Sequence, residues 1–192
     1  MLGVRADITP QTARMDAHSL AEEGVTRLCY AGSTLQSTPQ SVISGRAPIQ
    51  RGAELFGGSA GAADSEIIDL MLSTFERAGV SRPLTLDIGH IGIYDALFSD
   101  AGLDPELENE VFDALQRKSA PDIERLSASM PAREAERLAQ LVSLHGSPDA
   151  LASARVAFPD EPAVMAALDQ LDSVLAGVQR AFPDVGVYED LT

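Results

Sequence analysis

Three polar residues, Asp7, Gln50 and Glu54, could together bind one small ligand. Gln50 and Glu54 fall in a stretch predicted as a strand, residues 49–56. Alternation along a strand places them on one face, with Gly52 between them. Two carboxylates and an amide suit an amino acid that has an α-ammonium group and a second hydrogen-bonding side chain. An imidazole could donate to Glu54 while the ammonium pairs with Asp7, and we expect Gly52 to leave room for the ligand.

Each of these residues also has an ordinary structural interpretation. Asp7 could be an exposed residue before a helix, where a negative charge favours the helix dipole. Glu54 could be a solvent-facing strand residue, and Gln50 alone says little. His90 follows a strand end and could be functional, although a structural role is favoured.

The sequence lacks recognisable motifs for metal binding, phosphate binding and nucleophilic catalysis. The histidines (His18, His90 and His145) lack the spacing of metal ligands. No glycine-rich dinucleotide motif or Walker motif appears, since residues 57–61 are glycine-rich but lack the Lys-Ser/Thr ending. No Ser-His-Asp arrangement can be read from the spacing. We therefore expect no catalytic residue, no cofactor and no metal.

The charge balance disfavours nucleic acid as a partner. The chain has 192 residues, a formal net charge of −15 and a single lysine, Lys118. Phosphate binding needs clustered lysine and arginine, and the arginines here are scattered. A tRNA-binding surface is therefore not expected.

Cysteine and hydropathy patterns favour a cytoplasmic protein. Cys29 is the only cysteine, which excludes an internal disulfide framework, and we expect it to be a small buried strand residue. No run of about 18 apolar residues suggests a membrane span. Met1 leads straight into patterned sequence without a signal-like segment, so we expect a partial gene product.

The first hundred residues predict an alternation of helices and strands. Thr9-Pro10 is typical of an N-cap followed by a proline in the first turn. A glycine-, serine- and proline-rich loop, 33–47, should join two strands of a hairpin. The predicted strands are 25–31, 49–56 and 84–88. A first helix should run from Thr9 to Glu23 and stop at Gly24, and a short helix after His90 should end at Gly102. Between them we predict a helix that is capped by Asp64 or Ser65 and ends near Gly79, with one apolar face formed by Ile67, Ile68, Met71, Leu72 and Phe75.

The later part of the chain predicts helices that each begin near a proline. The prolines concerned are Pro105, Pro121, Pro131 and Pro162. Residues 164, 168, 171, 175 and 178 form a helical apolar stripe. We predict an α+β fold with an antiparallel sheet flanked by helices. Its parts are a core over 1–102, a helical insertion over 103–182, and a return to the core over 183–192, where 185–188 begin a strand.

An ordered set of segments resembles one family. The segments are Arg5-Ala-Asp7-Ile-Thr9-Pro-Gln, Arg27-Leu-Cys-Tyr30-Ala-Gly32, Gln50-Arg-Gly52-Ala-Glu54-Leu-Phe-Gly57, Ala63-Asp-Ser-Glu66-Ile-Ile and Leu84-Thr-Leu-Asp-Ile-Gly-His90-Ile-Gly92. Together they resemble the regulatory subunit of ATP phosphoribosyltransferase, a catalytically inert paralogue of histidyl-tRNA synthetase. The match spans roughly residues 2–100. The resemblance implies a class II aminoacyl-tRNA synthetase-like fold.

The resemblance also assigns roles to particular residues. The synthetase segments that contact histidine map onto Asp7, Thr9, Gln50 and Glu54, with Asp7 one methylene shorter than the family's glutamate. The arginine that binds the α-phosphate of ATP maps onto Gln36. Loss of that cation removes the main electrostatic stabilisation of adenylate formation. The resemblance therefore implies a site that binds histidine but does not activate it.

The implied function is regulatory. Such a subunit binds a separate short catalytic subunit in a hetero-octamer, is needed for full activity, and takes part in feedback inhibition by histidine in the first step of histidine biosynthesis. One alternative is a fragment of a true histidyl-tRNA synthetase, against which Gln36 and the acidic balance argue. Another is an interaction module whose polar strand face binds nothing.

Overall fold

The computed structural model describes residues 3–20, 23–39, 41, 45–146 and 149–192. They form two units, Met1–Arg77 and Ala78–Thr192, which are described separately below. The domain division predicted at residues 102 and 182 stays a prediction.

The first unit is a helix, a two-stranded hairpin and a second helix. Its elements are α1 (Thr9–Met15), a π-helical turn (Asp16–Leu20), β1 (Thr26–Ser33), β2 (Ile49–Phe56) and α2 (Ala60–Arg77). Strands β1 and β2 pair antiparallel, so that Tyr30 lies opposite Gly52 and Gly32 opposite Gln50. The predicted return strand and β2 have the same bounds.

The first helix differs from its prediction at both ends. Its N-cap is Ile8 rather than Thr9, and Pro10 lies in the first turn. The α-helical hydrogen bonding ends at Met15 and gives way to the wider π-helical turn. Glu23, the predicted last residue, lies in a bend. Gly24, the predicted stop, has a φ of 112°, a value that glycine adopts without strain.

Helix α2 begins four or five residues before the predicted cap. The backbone N–H of Ala63 already donates to the carbonyl of Ser59, since the alanine-rich start favours helix. Ser65 does not cap the helix, because its hydroxyl donates back to the Gly61 carbonyl one turn earlier. On the predicted apolar face Leu72 is buried, whereas Met71 and Phe75 are each 40% exposed.

The prediction that Cys29 is buried is wrong. Exposure alternates along β1, and Cys29 falls on the exposed side, opposite Ala53. A strand that is covered on one face only leaves every second residue accessible.

The second unit consists of helices and a small mixed sheet. Its elements are β3 (Thr85–Ile88), α3 (Ile91–Phe98), α4 (Pro105–Gln116), α5 (Ala120–Ser127), α6 (Ala132–Leu141), β4 (His145–Gly146), α7 (Ala150–Ala157), α8 (Pro162–Ala181) and β5 (Gly186–Asp190). The strand order is β3-β5-β4. β5 pairs antiparallel with β4 but parallel with β3, so this second sheet is mixed rather than antiparallel as predicted, and it is separate from the β1–β2 hairpin. The long helical connection between β3 and β5 permits their parallel pairing.

The predicted helix starts and apolar stripe are confirmed. Pro105, Pro121 and Pro162 lie in the first turns of α4, α5 and α8, and Pro131 is the N-cap of α6. The stripe on α8 is at most 5% exposed: Val164, Leu168, Leu171, Leu175 and Val178. Helix α7 was not predicted. His145 lies in β4. No helix within the described residues is long and apolar enough to cross a membrane.

Candidate functional site

The side chain of Tyr30 covers Gly52. The two residues are cross-strand partners, and a Cβ atom at position 52 would lie less than 3.0 Å from the ring and hydroxyl of Tyr30. Only glycine therefore lets the ring cross to β2. This corrects the expectation that Gly52 leaves room for a ligand, because the tyrosine fills that space. The ring brings a hydroxyl to the middle of the polar face.

The hydroxyl of Tyr30 joins the predicted site residues into one network. It donates to Oε1 of Glu54 at 3.4 Å, and Nε2 of Gln50 donates to it at 3.4 Å. Oγ1 of Thr9 lies 2.9 Å away. Either hydroxyl of the Thr9–Tyr30 pair can act as the donor. The structure thus brings Thr9, Gln50 and Glu54 together around one residue that was not predicted as a site residue.

Gln50 connects this network to the start of helix α1. Its Nε2 donates to Oδ1 of Asp7 at 2.7 Å, and its Oε1 accepts the backbone N–H of Ile8 at 2.9 Å. The backbone N–H of Thr9 also donates to Oδ1 of Asp7, at 3.1 Å. A backbone N–H can only donate, so these contacts fix the orientation of the amide.

The hydrogen bonds to Asp7 favour its charged form. The side chain of Gln50 contributes most, followed by the backbone N–H of Thr9, and together they hold the pKa of the carboxyl below its ordinary value of 3.8. Asp7 is therefore an anion near neutral pH. Asp7 and Glu54 thus bring two carboxylates to one hydrogen-bond network. Each carboxylate has two oxygens with about four lone-pair sites that can accept hydrogen bonds. This arrangement suits binding of a cationic donor.

Arg5 lies on the same face of the hairpin. Its guanidinium covers Gly32, where a Cβ atom would lie less than 3.0 Å from Nη2. Its Nε donates to the carbonyl of Ser33 at 3.0 Å. Sequence reasoning assigned no site role to Arg5 or Tyr30. The available signal was the pair of strand glycines, Gly32 and Gly52, since each accommodates a large side chain from elsewhere.

Gln36 lies in the loop just beyond β1. Its backbone N–H donates to the carbonyl of Arg46 at 2.8 Å, so the two sides of the loop stay paired past the end of the strands. Its side chain is half-buried. An uncharged glutamine thus stands at this position. That the position has lost the ATP-binding role of the synthetase arginine stays a prediction.

His90 has a structural role in the second unit. Its Nδ1 accepts the backbone N–H of Gly92 at 3.0 Å and so caps helix α3. The structural interpretation of His90 is confirmed. Among the described residues, no group of three or more His, Cys, Asp or Glu side chains could hold a metal ion.

The fold is that of a synthetase-like protein. The model of the histidyl-tRNA synthetase family matches residues 1–192. The chain therefore belongs to the histidyl-tRNA synthetase family.

Curated relatives show which members of that family this chain resembles. A protein of Marinobacter nauticus is 49% identical over 189 residues, which are 97% of this chain and 48% of that protein. A protein of Pseudomonas aeruginosa is 46% identical over 192 residues, 100% of this chain and 48% of its own length. Both are named ATP phosphoribosyltransferase regulatory subunit, which confirms the predicted resemblance. The chain spans about half the length of these relatives.

Two solved structures support the predicted fold class. The first is a Bacillus halodurans protein described as an ATP phosphoribosyltransferase regulatory subunit/histidyl-tRNA synthetase. It is 27% identical to this chain with a TM-score of 0.79, and the match covers 97% of this chain and 49% of the Bacillus halodurans chain. An ATP phosphoribosyl transferase (HisG:HisZ) complex from Thermotoga maritima gives a TM-score of 0.70 at 20% identity, over 99% of this chain and 65% of that one. At that identity the second match is evidence for the fold alone. The class II synthetase-like fold is confirmed.

Proposed function

We propose that this chain is part of a non-catalytic regulatory subunit of ATP phosphoribosyltransferase. In this role it associates with a separate short catalytic subunit in a hetero-octamer in the cytoplasm, is required for full activity, and takes part in feedback control by histidine. Relatives at 44–49% identity carry the name of that subunit. Neither nucleic acid nor a membrane is part of the proposal, in keeping with the formal net charge of −15.

The network around Tyr30 is the observation that carries the proposal. Tyr30, Thr9 and Gln50 use their donors on one another and on Asp7 and Glu54. The two carboxylates are then the charged groups with acceptor capacity left. An amino acid with an α-ammonium group and a donor on its side chain matches that pair. We assign the ammonium to Asp7 and the imidazole N–H of histidine to Glu54.

Regulation requires more than binding. Histidine shifts an assembly equilibrium only if it binds one state more tightly than the other. The Asp7–Gln50 contact joins the start of helix α1 to strand β2. A ligand bound to the carboxylates of both Asp7 and Glu54 would hold the same two elements together. A ligand that bridges them therefore favours the arrangement in which α1 stays on the hairpin.

Reconstitution with the short catalytic subunit tests the regulatory role. We expect the full-length gene product to raise phosphoribosyl transfer by the catalytic subunit and to make that activity sensitive to histidine. The Glu54→Ala variant should keep the activation but lose histidine sensitivity. Failure of the wild-type protein to activate the catalytic subunit would overturn the assignment.

A histidyl-tRNA synthetase fragment is the second candidate. The match to the histidyl-tRNA synthetase family favours this candidate, as does the Bacillus halodurans structure, whose description names both a regulatory subunit and a histidyl-tRNA synthetase. Gln36 argues against it, because a neutral amide cannot replace an arginine on a phosphate. Histidine-dependent pyrophosphate exchange by the full-length gene product decides between the two, since measurable adenylate formation would contradict the regulatory proposal.

A further inference from the structure

We propose that Arg5 binds the carboxylate of the amino acid held by Asp7 and Glu54, so that the site selects a free α-carboxylate. This inference rests on the proposed function of the hairpin face. It concerns a residue to which the sequence resemblance to synthetases assigned no role, and it follows from where the guanidinium lies.

The geometry leaves one edge of the Arg5 guanidinium available. Nε donates to the carbonyl of Ser33 at 3.0 Å, and Nη1 approaches Oε1 of Gln11 at a long 3.4 Å. Nη2, the atom that lies over Gly32, donates to no residue that the structure describes. Arg5 as a whole is an exposed residue, and its guanidinium keeps a donor for a ligand.

The register of the hairpin relates Arg5 to Asp7 through Gly32 and Gln50. Gly32, under the guanidinium, lies directly opposite Gln50 in the β1–β2 ladder. Gln50 is the residue that donates to Asp7. In an amino acid the ammonium and the carboxylate share one carbon, so the partner of the carboxylate must lie next to the partner of the ammonium. Arg5 covers the glycine opposite Gln50, whereas Glu54 lies further along the hairpin, opposite Leu28.

Electrostatics also favour a cation at this position. Asp7 and Glu54 bring two negative charges to the face, and a bound zwitterion adds a carboxylate of the same sign. An unpaired like charge close to two carboxylates costs binding energy. The fork of Arg5 compensates that charge and can bind a carboxylate with two parallel hydrogen bonds.

Arg5 also has a structural role that the test must separate. Its carbonyl accepts the N–H of Leu35 at 2.9 Å, and its Nε holds the end of β1. A purely structural arginine would affect the binding of every ligand alike. An arginine that binds the carboxylate would affect only ligands that carry one.

Calorimetric titration of the full-length gene product with L-histidine and L-histidinol makes this separation. Histidinol keeps the imidazole and the ammonium but replaces the carboxylate by a neutral hydroxymethyl group. We expect the wild-type protein to bind histidine about tenfold to a hundredfold more tightly than histidinol, the range of a charge-assisted contact. The Arg5→Gln variant should lose that factor for histidine and bind histidinol as the wild type does.

The Arg51→Gln variant is the matched control. Arg51 is an exposed arginine of the same hairpin, and it lies on β2 between two residues of the polar face, so its side chain points to the opposite face. This variant should keep wild-type affinity for both ligands. The Arg5→Lys variant, which keeps the charge but not the fork, should recover part of the preference for histidine.

Three results would overturn the proposal for Arg5. They are equal wild-type affinity for the two ligands, an equal loss of affinity for both in Arg5→Gln, and the same loss in Arg51→Gln. A wild-type protein that binds neither ligand would instead remove the histidine site itself, and with it the proposed function.

Discussion

Nε2 of Gln50 donates a hydrogen bond of 2.7 Å to Oδ1 of Asp7. The two residues are 43 positions apart in the chain, and this contact anchors the start of helix α1 on strand β2. The same amide accepts the backbone N–H of Ile8, which is buried. One glutamine thus holds the helix entrance on the strand and lowers the pKa of the Asp7 carboxyl.

The pKa of Asp7 should depend on Gln50. We expect carboxyl-detected NMR titration to give Asp7 a pKa below 3.8, and the Gln50→Ala variant to raise it towards that value. Because the folded-state pKa is the lower one, its contribution to stability is complete above pH 3.8 and is lost as the pH falls through the folded value. The Gln36→Ala variant, which removes a glutamine outside this network, should leave the pKa unchanged. An Asp7 pKa that Gln50→Ala does not move would refute this account.

Glycine to alanine substitutions should have opposite effects at two positions. At Gly52 the new methyl would collide with the rigid ring of Tyr30, so we expect a loss of about 1–3 kcal/mol in the free energy of unfolding and weaker histidine binding. At Gly177, within helix α8, the space that an alanine methyl would occupy is open to 4 Å, and alanine should stabilise the protein by about 0.5–1 kcal/mol. Urea unfolding measures both. A neutral Gly52→Ala variant would show that the ring of Tyr30 does not need this glycine.

An ion pair between Lys118 and Asp190 should stabilise the second unit. Nζ of Lys118 lies 2.6 Å from Oδ2 of Asp190, and the two side chains are 28% and 21% exposed. Burial alone would raise the pKa of Asp190, but the hydrogen bonds from Lys118 and Thr192 outweigh it and lower the pKa below 3.8. The stabilisation is therefore complete above pH 3.8 and is lost as the pH falls through the lowered pKa.

The Asp190→Asn variant tests this pair. We expect it to lower the free energy of unfolding by about 1 kcal/mol at neutral pH, since both side chains keep some contact with water. Asp113→Asn is the control, because its partner Arg117 is more than half exposed and such pairs contribute little. Equal effects of the two substitutions in urea unfolding would argue against a special role for Lys118–Asp190.

Restoring an arginine at position 36 should not create a synthetase. We expect the Gln36→Arg variant to show no histidine-dependent pyrophosphate exchange, since one cation does not supply the remaining phosphate contacts that adenylation needs. Its affinity for histidine should equal that of the wild type, which shows that the variant is folded. Appreciable adenylation by Gln36→Arg would mean that the chain had lost only this one group.

Local signals in the sequence predicted much of the fold. The strand after the loop is predicted with the bounds of β2, the prolines predict the starts of α4, α5 and α8, and the period of the stripe from Val164 to Val178 identifies the buried face of α8. These features depend on residues close together in the chain. The start of α2 was missed because the alanines before Asp64 favour helix more than the serine favours a cap.

Long-range pairing could not be predicted in the same way. The parallel contact of β3 with β5 joins residues about a hundred positions apart, and no local pattern encodes it. The same holds for the site. Asp7, Thr9, Gln50 and Glu54 were selected from the sequence, but Tyr30 joins three of them only because the register puts it opposite Gly52. The exposure of Cys29 likewise depends on which face of the hairpin is covered.

Calorimetric titration of histidine into the full-length gene product tests the central claim most directly. We predict that the wild-type protein binds histidine, that Glu54→Ala weakens this binding at least about tenfold by removing a charged acceptor, and that Arg51→Ala, on the opposite face of the same strand, binds as the wild type does. Absence of binding to the wild type, or binding that Glu54→Ala leaves unchanged, would contradict a histidine site on this hairpin.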